Sequence, residues 1–438
     1  MYRQQQFEKL LSGKRILIAG YGREGRSTHA LLQRLAIADN VTVACNDEEI
    51  FTALAHAQNE SKSYDIIIKS PGIPTMKFEG RCELDTISSQ TDLFMQVYGD
   101  ITIGITGTKG KSTTTSLIHH VLSHCGEQTP HVLLAGNIGI PLFDIVEQID
   151  EQSIVVAELS CHQLENIHRA PHIGVILNLY QEHLDHYHDY HDYQLAKMRM
   201  MLKQQAGDHC YYCTDCDDLA RMVELYRPTI ASTLHPYSLQ NARQAGTDNL
   251  QTSLKGDHNV SNIFVAKQVC ALMGVTNSQF GETLASFHGL PHRLELVGTY
   301  HGITFYNDSI STIPQATIAA MEALKNVDTL ILGGYDRGID YGEIIQLLVF
   351  VPNSLHNVAF VGEAGKRILR EIGHAHHGLP DRIGVLQEDD YRKIVDWCFA
   401  HTQPGKICLL SPAAASYDSF KNFEERGETF KQLVHTHK

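Results

Sequence analysis

The sequence has no apolar run of membrane-spanning length, and its start lacks the apolar segment of a secretory signal peptide. Positive charge is also scarce, because 36 Lys and Arg stand against 50 Asp and Glu, a net charge of −14. This balance argues against a general nucleic-acid or anionic-membrane surface but leaves room for a local phosphate site. Without a secretory signal, the ten cysteines are expected to be reduced thiols. We therefore expect a cytoplasmic protein that binds neither nucleic acid nor membrane.

Low-complexity linkers and short internal repeats are also missing, and 438 residues exceed one ordinary core. Short Ile- and Val-rich runs alternate with stretches of helical spacing, a pattern typical of parallel sheets buried on both faces. The predicted strands are 15–19, 41–45, 65–69, 101–105, 154–158, 174–178, 329–334, 357–362 and 406–412. The predicted helices include 25–36, 112–124, 258–273, 314–325 and 419–434. These patterns predict the α/β class, with more than one doubly wound sheet.

The strand pattern restarts twice along the chain, and each restart follows a set of strand–helix units. We therefore predict three domains, residues 1–96, 97–297 and 298–438.

A glycine-rich loop follows the predicted strand 101–105 and precedes a helix. In a phosphate-binding loop, glycines let backbone N–H groups turn towards the phosphate oxygens, a lysine reaches the β- and γ-phosphates, and a hydroxyl binds Mg²⁺. Lys111 and Ser112 supply the last two groups. Position 105 is Ile where the strict pattern has its first glycine, so an ordinary glycine-rich turn stays an alternative. The loop predicts binding of ATP or GTP.

A second glycine-rich turn, with Gly20, Gly22 and Gly25, follows the first strand, and Asp47 follows the next strand. This spacing is the dinucleotide-binding fingerprint, although a tight turn with close strand–helix packing explains it equally well. A nucleotide diphosphate other than NAD could bind at the same helix N-terminus. Ser70, after the third strand, could form another wall of such a site.

Glu158 ends a predicted buried strand, at the edge of a parallel sheet where ligands bind. Its carboxylate could hold Mg²⁺ directly or through water, as a partner of the phosphate loop. A capping or salt-bridged glutamate is the alternative interpretation.

Histidines crowd residues 183–191, but they match no recognised metal-ligand spacing, and at most one of them is expected to carry chemistry. Cys210, Cys213 and Cys216 resemble part of an iron–sulfur run without its fourth ligand. The same stretch is also typical of a strand in which alternate side chains are buried, and buried cysteine is ordinary core material. We predict neither zinc nor an iron–sulfur cluster.

Taken together, these motifs resemble the Mur ligase family of ATP-dependent amino-acid ligases and, within it, the glutamate-adding MurD type. The resemblance covers nearly the whole chain. The matching segments are GYGREG, SPGIP, TGTKGKSTTT, GNIG, ELSCHQLE, NLYQEHLDHY, YQLAKMR, GDHNVSN, PHRLE, NDSISTIP, LGGYDRG and LSPAAASYDSFKNFEERGETF.

The resemblance implies a Rossmann-like N-terminal domain that holds the UDP of the substrate, a central phosphate-loop ATPase domain and a Rossmann-like C-terminal domain that brings glutamate. It implies that ATP phosphorylates the carboxylate of UDP-N-acetylmuramoyl-L-alanine, and that the amine of glutamate attacks this acyl phosphate. The product would be a peptidoglycan precursor. We expect a monomer whose partners are these small molecules.

The resemblance also implies roles for individual residues. The ATP-binding residues would be Gly107, Thr108, Lys109, Gly110, Lys111, Ser112, Thr113, Asn259, Asn262, Arg293 and Asp308. The UDP-substrate residues would be Gly20, Gly22, Gly25, Ser70 and Asn137. Two Mg²⁺ sites would be formed by Ser112, Glu158, His183 and Lys197, with Lys197 carbamylated by CO₂. Catalysis would depend on Lys111, His183 and Lys197, and glutamate would be held by Thr312, Arg337, Ser416 and Phe423.

The sequence departs from the usual pattern of this type around the glutamate residues. Ile310 stands where a Lys is usual, Arg337 where a Lys is common, Tyr335 replaces an acidic residue, and Tyr417 replaces a small apolar one. We predict D-glutamate as the amino-acid substrate, with an L-glutamate-adding variant as the alternative. A folylpolyglutamate-type ligase is a third hypothesis, against which the separate N-terminal block argues. A non-catalytic, nucleotide-binding regulator is a fourth, against which the presence of Lys111, Glu158, His183 and Lys197 argues.

Overall fold

The computed structural model describes residues 2–59, 62–125, 130–138, 140–182, 185–254, 256–287, 289–350, 354–376 and 378–437. Three mainly parallel sheets flanked by helices confirm the predicted α/β class. The chain forms two compact units, Met1–Gln251 with Asp257–Phe287 and Thr252–Gly256 with His288–Lys438. Within the described part of the chain, no helix has the length and apolar character needed to cross a membrane.

The first sheet has four parallel strands in the order β2-β1-β3-β4. Its strands are β1 (Ile16–Ala19), β2 (Val41–Ala44), β3 (Ile66–Lys69) and β4 (Ile87–Ser88). Its helices are α1 (Gln4–Leu11), α2 (Arg23–Arg34), α3 (Asp47–Asn59) and α4 (Gln90–Tyr98). The first and third strands are fully buried, which is why they are almost purely Ile, Leu and Ala.

The second sheet has six parallel strands in the order β10-β9-β8-β5-β7-β6. Its strands are β5 (Thr102–Thr106), β6 (Val132–Gly136), β7 (Ile154–Glu158), β8 (Ile173–Ile176), β9 (His209–Cys213) and β10 (Thr233–Tyr237). Its helices are α5 (Lys111–His124), α6 (Cys161–Leu164), α7 (Tyr190–Leu202), α8 (Asp217–Tyr226), α9 (Leu239–Gln244), α10 (Asp257–Leu272) and α11 (Asn277–Ser286). The central position of β5 brings the loop that follows it to the middle of the sheet edge.

One continuous hydrophobic core joins the first two sheets. Phe7 of α1 packs edge-on against Phe143, with ring centroids 5.5 Å apart, and also contacts Tyr98 of α4. The same cluster contains Ile16 of the first sheet and Val155 of the second. This shared burial explains why the two sheets form a single compact unit.

The third sheet makes up the core of the second unit, in the order β11-β12-β16-β13-β14-β15. Its strands are β11 (Glu295–Tyr300), β12 (Ile303–Asn307), β13 (Val327–Gly333), β14 (Asn357–Val361), β15 (Gly384–Gln387) and β16 (Ile407–Leu410). Its helices are α12 (Pro314–Leu324), α13 (Gly342–Val349), α14 (Gly362–His376), α15 (Tyr391–His401) and α16 (Phe423–Thr436). Among the strand pairs that the structure describes, the hairpin of β11 and β12 alone is antiparallel, and the predicted boundary at 297/298 falls within β11.

Two local predictions were wrong. The last helix begins at Phe423, four residues later than predicted, because the side chain of Asn422 accepts from Glu425 N and caps it there. Strand β9 is buried at four successive residues and does not alternate. The reason is that both its faces are covered: Cys210 belongs to the shared core, and the Tyr211 hydroxyl reaches the Gln268 carbonyl of α10.

Candidate active site

The glycine-rich loop lies between β5 and α5, the context that the sequence predicts. Gly107 has φ of +149°, and a Cβ there would lie 2.9 Å from the Cβ of Leu177. Only glycine fits this backbone, because the chain at Leu177 passes so closely. Lys109 is exposed, and Ser112 and Thr113 are half-buried in the first turn of α5. The loop therefore has its hydroxyls and a helix N-terminus at one edge of the sheet, as a phosphate site requires.

Asn178, which the sequence did not single out, holds this loop in place. Its Oδ1 accepts from Thr108 N at 3.0 Å and from Lys109 N at 2.8 Å. Its Nδ2 donates to the Lys109 carbonyl at 3.1 Å. Asn178 comes just after β8, the neighbour of β5, so the strand order brings it to the loop, whereas no spacing in the sequence could have shown it.

Two lysines point at the same carbonyl of the loop. Lys111 Nζ donates to the carbonyls of Gly107 and Thr108, both at 3.0 Å. Lys197 Nζ, from α7, also donates to the Gly107 carbonyl at 3.0 Å. Burial and, to a smaller extent, the charge of Lys111 lower the pKa of Lys197 to about 8, while nearby acidic groups oppose the shift. Near neutral pH, Lys197 therefore has a larger fraction of free amine than an exposed lysine.

Glu158 ends β7 beside this loop and is 2% exposed. Its Oε1 accepts from Asn137 Nδ2 at 2.6 Å. Its Oε2 is buried and accepts no hydrogen bond from any described residue. A buried carboxylate oxygen without a donor is costly, and a bound cation would satisfy it. The donor set thus fits Mg²⁺ at this position.

Helix α10 approaches the loop from the other side. Asn262 lies so close to Gly110 that a Cβ on this glycine would be 3.0 Å from Asn262 Oδ1. Asn262 in turn donates to Asn259 Oδ1 at 3.3 Å, and both asparagines are buried. The structure therefore brings these two predicted ATP-binding residues to the phosphate loop.

The first sheet places the second glycine-rich turn at its own carboxyl edge. Ser70 Oγ, after β3, donates to the Gly20 carbonyl, after β1, at 3.0 Å. A Cβ on Gly25 would lie 2.1 Å from the Gly20 carbonyl oxygen, so α2 packs on the turn with no room for a side chain. Gly22 is the N-cap of α2. The four predicted residues lie together, at a helix N-terminus suited to a diphosphate.

His183 lies outside the described residues. Among the histidines that follow it, His186 is buried and bonds Glu165, whereas His188 is exposed and bonds Glu79. Cys210, Cys213 and Cys216 are buried free thiols. Over the residues that the structure describes, no group of three or more His, Cys, Asp and Glu is arranged to hold a metal ion.

The second unit gathers the predicted glutamate residues at the edge formed by β12, β16 and β13. Arg337 donates to the Thr312 carbonyl at 2.8 Å. Tyr335 N donates to the Ala415 carbonyl at 2.9 Å, which places the loop after β13 beside Ser416. Residues that follow three adjacent strands therefore meet at one crevice, the usual ligand position in such sheets.

Arg426 organises this edge and was missed from the sequence. It is 1% exposed, and its guanidinium donates to the hydroxyl and carbonyl of Ser309 and to the carbonyls of Ala414 and Ala415. Ser309 Oγ donates in turn to the Phe423 carbonyl at 2.8 Å. Burial lowers the pKa of Arg426. Its guanidinium group nevertheless donates to four acceptors, and these hydrogen bonds connect the loop after β12 with the loop after β16.

Asp308 and Arg293, two predicted ATP-binding residues, also lie in the second unit. Asp308 is buried and accepts from Leu294 N at 3.1 Å and from Ser411 Oγ at 2.7 Å. Burial raises its pKa to about 6, although these donors and Arg293 oppose the shift. Arg293 is exposed. The carboxyl group of Asp308 therefore titrates near neutral pH.

Comparison with known proteins decides the family. The Mur ligase middle-domain model matches residues 105–270. A UDP-N-acetylmuramoylalanine–D-glutamate ligase of Desulfitobacterium hafniense is 31% identical over 98% of both chains, and one of Solibacter usitatus is 32% identical over 97% of this chain and 98% of its own. The chain belongs to the Mur ligase family.

Solved Mur ligases share this fold. The ligase MurF of Thermotoga maritima in complex with ADP has a TM-score of 0.58 at 16% identity, over 98% of this chain and 97% of its own. The UDP-N-acetylmuramate-alanine ligase MurC of the same organism has a TM-score of 0.57 at 15% identity, over 97% and 100%. This Mur ligase therefore has the fold of those solved structures.

This Mur ligase carries an aromatic pair beside Arg337. The rings of Tyr335 and Tyr417 lie 6.3 Å apart at 69°, and both are exposed. Ile310, where the sequence pattern of the type usually has Lys, is bonded through its backbone N–H to the His292 carbonyl at 3.1 Å. The four departures from the pattern of the type therefore lie at or next to the predicted glutamate residues in the sequence.

Proposed function

We propose that this protein joins D-glutamate to UDP-N-acetylmuramoyl-L-alanine at the expense of ATP, in peptidoglycan precursor synthesis. The observation that carries the proposal is the match over nearly the whole chain to several ligases of that name. The small-molecule partners are then the UDP-linked substrate, glutamate and ATP. Because ATP and nucleotide sugars are cytoplasmic metabolites, we place the reaction in the cytoplasm, and a monomer stays our prediction.

The phosphate loop would bind ATP. A carboxylate becomes an acylating agent only when phosphate is its leaving group, and phosphoryl transfer concentrates negative charge that cations and N–H donors must stabilise. Lys111 lies at the loop with its ammonium on the Gly107 and Thr108 carbonyls, and it would exchange these acceptors for phosphate oxygens. Asn259 and Asn262, at the other side of the loop, would flank the adenine.

Two cation positions would accompany ATP. Ser112 and the unsatisfied Oε2 of Glu158 would hold one Mg²⁺. Lys197, together with His183, would hold the second. When bound, Mg²⁺ would neutralise negative charge on the phosphoryl group that is transferred. Asn137 would orient the Glu158 carboxylate, because it already donates to Oε1.

Lys197 would act as a carbamate. Its free amine, favoured by burial, would attack the carbon of CO₂ and release one proton to solvent, which leaves an anionic oxygen ligand. The support is its position, 2% exposed and aimed at the phosphate loop. The modification also removes a buried positive charge next to Lys111, which reduces like-charge repulsion.

The UDP of the substrate would bind at the carboxyl edge of the first sheet, at Gly20, Gly22, Gly25 and Ser70. We propose a division of function over residues 1–96, 97–297 and 298–438, as a UDP-substrate domain, an ATPase domain and a glutamate domain. The third sheet would bring glutamate through the Thr312, Arg337, Ser416 and Phe423 positions, and Arg293 and Asp308 would contribute to ATP binding.

An L-glutamate-adding activity is the second candidate. The observation that favours it is the altered sequence around the predicted glutamate residues. Ile310 stands where a Lys is usual, and the Tyr335–Tyr417 pair borders Arg337. Charge cannot separate the enantiomers, since both carry one amine and two carboxylates. Discrimination depends on where the anchors place them, and a misplacement of about 1 Å can cost roughly a hundredfold in rate.

The test is phosphate release by the purified protein with ATP, Mg²⁺, UDP-N-acetylmuramoyl-L-alanine and D-glutamate, with each component omitted in turn. We expect release only with the complete mixture, with a product heavier by one glutamyl residue. Release that needs no UDP-linked substrate, or no release with either glutamate enantiomer, would contradict the proposal.

A further inference from the structure

Lys69, at the end of β3, carries a charge in the interior between the first two sheets. Its side chain is 1% exposed, and its Nζ donates to the Ile73 carbonyl at 2.7 Å and to Glu165 Oε2 at 2.8 Å. Glu165 directly follows α6, the short helix after β7 of the second sheet. The ion pair therefore connects the loop after β3 of the first sheet with the loop after β7 of the second.

Glu165 has two further partners. Its Oε2 also bonds His186 Nε2 at 3.2 Å, and its Oε1 accepts from Thr75 N at 3.3 Å. Thr75 Oγ1 donates to Asn166 at 2.9 Å, which ties the same segment a second time. One carboxylate thus holds residues 70–75 on one side and His186 on the other, and we call these contacts the Lys69–Glu165–His186 network.

The carboxyl group of Glu165 in this network is ionised at neutral pH. Burial alone would raise the pKa of Glu165, but the His186 hydrogen bond and the Lys69 charge outweigh it and hold the pKa at about 2. Burial lowers the pKa of Lys69, and the neighbouring Glu165 opposes that shift. Buried ion pairs add little net stability, because desolvation offsets their attraction. What such a network does supply is fixed geometry between the segments that it joins.

Both joined segments lead to predicted sites. Residues 70–75 begin at Ser70, a predicted wall of the UDP-substrate site. His186 lies in the segment that leads into α7, which carries Lys197. A third contact reaches α2, where Gln163 donates to Glu24 at 2.8 Å, in the first turn of the helix that would face the diphosphate. The network and this neighbouring contact therefore connect the predicted UDP-substrate edge of the first sheet with the segment that leads into α7.

We infer that Glu165 is a positioning residue, which fixes the UDP-substrate loop of the first sheet relative to the segment carrying His186 and Lys197. This role rests on the proposed function. Glu165 would thereby fix the distance between the UDP site and the phosphate loop, which one substrate molecule must bridge. Weakening it should impair use of the UDP-linked substrate selectively and leave the nucleotide site intact.

The test compares Glu165→Gln with a matched control, Asp208→Asn. Asp208 is likewise buried and pairs with one arginine and one histidine, Arg169 and His172. It precedes β9 and so lies at the opposite edge of the second sheet. Both changes remove one buried carboxylate charge of a three-membered cluster. Only the first loosens the connection between the two predicted sites.

For Glu165→Gln we expect the KM for UDP-N-acetylmuramoyl-L-alanine to rise about tenfold, within the usual range of coupling between sites. The Kd for ATP, measured by calorimetry without the other substrates, should change less than about twofold. Asp208→Asn should lower the thermal midpoint without this selective rise. Equal effects of the two variants on the KM would overturn the inference, whereas a wild type that never turns over the complete mixture would instead refute the proposed function.

A double variant separates positioning from folding. Lys69→Met with Glu165→Gln removes both buried charges, so the thermal midpoint should recover relative to Glu165→Gln alone. The raised KM should persist, since the ion pair and the carboxylate–His186 hydrogen bond are still missing and only the Thr75–Asn166 hydrogen bond ties residues 70–75. Recovery of the KM together with the thermal midpoint would mean that the network only supports folding, and the inference would fail.

Discussion

Lys111 and Lys197 share one acceptor, the carbonyl oxygen of Gly107, which takes a hydrogen bond of 3.0 Å from each ammonium group. The backbone of the phosphate loop thus holds two cations from two helices near one another. Burial and the neighbouring charge of Lys111 both lower the pKa of Lys197, to about 8. The lysine expected to bind phosphate and the lysine expected to be carbamylated are therefore coupled.

We expect Lys111→Ala to abolish ligation, with kcat lower by at least about 10²-fold, because one cation is lost where negative charge develops. Binding of the UDP-linked substrate should be almost unchanged, since its predicted site lies on another sheet. Calorimetry with that substrate and phosphate release with the full mixture measure the two effects. Unchanged turnover would rule out the ATPase assignment of this loop.

Lys197→Ala should be inactive, and acetate or formate should restore part of the activity. The site needs an anionic oxygen, and in the proposed mechanism the lysine only carries it. Lys203→Ala, at the end of the same helix, is the control and should not respond to added acid. If Lys197→Ala is fully active without acid, the carbamate role is wrong.

Asn178→Ala should weaken ATP binding. Lys109 N loses its acceptor and Thr108 N keeps only the main-chain carbonyl of residue 178, at a net cost of about 1–2 kcal/mol, which corresponds to a roughly five- to thirtyfold rise in the Kd for ATP. Gln205→Ala, a substitution outside the phosphate loop, serves as the comparison. An unchanged Kd for ATP in Asn178→Ala would show that this side chain does not order the loop.

Asp308→Asn should stabilise the protein at neutral pH. Burial raises the pKa of Asp308 from 3.8 to about 6, so the folded state binds a proton more strongly than the unfolded state. The stronger proton binding of the folded state contributes fully to the free energy of unfolding below pH 3.8. This contribution, about 3 kcal/mol, is lost as the pH rises through about 6. Thermal midpoints of both proteins from pH 4 to 8 should diverge across this window. A difference that is constant with pH would instead reflect only altered hydrogen bonds.

The enzyme should prefer one glutamate enantiomer strongly, with D-glutamate favoured. Ile310→Lys should raise the ratio of kcat/KM for D- over L-glutamate by about tenfold, because a charge-assisted hydrogen bond contributes roughly 1.5–3 kcal/mol. Ile313→Lys, at an exposed neighbouring position, should leave the ratio unchanged. Turnover with L-glutamate alone would establish the alternative substrate while the ligase chemistry stands.

The sequence by itself determined the α/β class and the positions of all nine predicted strands, because all of them except β2 are largely buried and therefore mostly apolar. It also located the phosphate loop, where glycine spacing and a following lysine are local features. The sequence pattern did not predict some strands at the sheet edges, such as β6 and β10. Their burial is incomplete, so their apolar pattern is weaker.

Only the tertiary structure decided which distant residues meet. Asn178 reaches the loop because β8 lies beside β5, and Arg426 joins the loops after β12 and β16 although more than a hundred residues separate it from Ser309. Glu165 likewise meets Lys69 across two sheets. Hydrogen bonds of this kind depend on strand order and packing, which no short-range spacing encodes. Local physics therefore fixed the elements of this protein, and long-range packing fixed its sites.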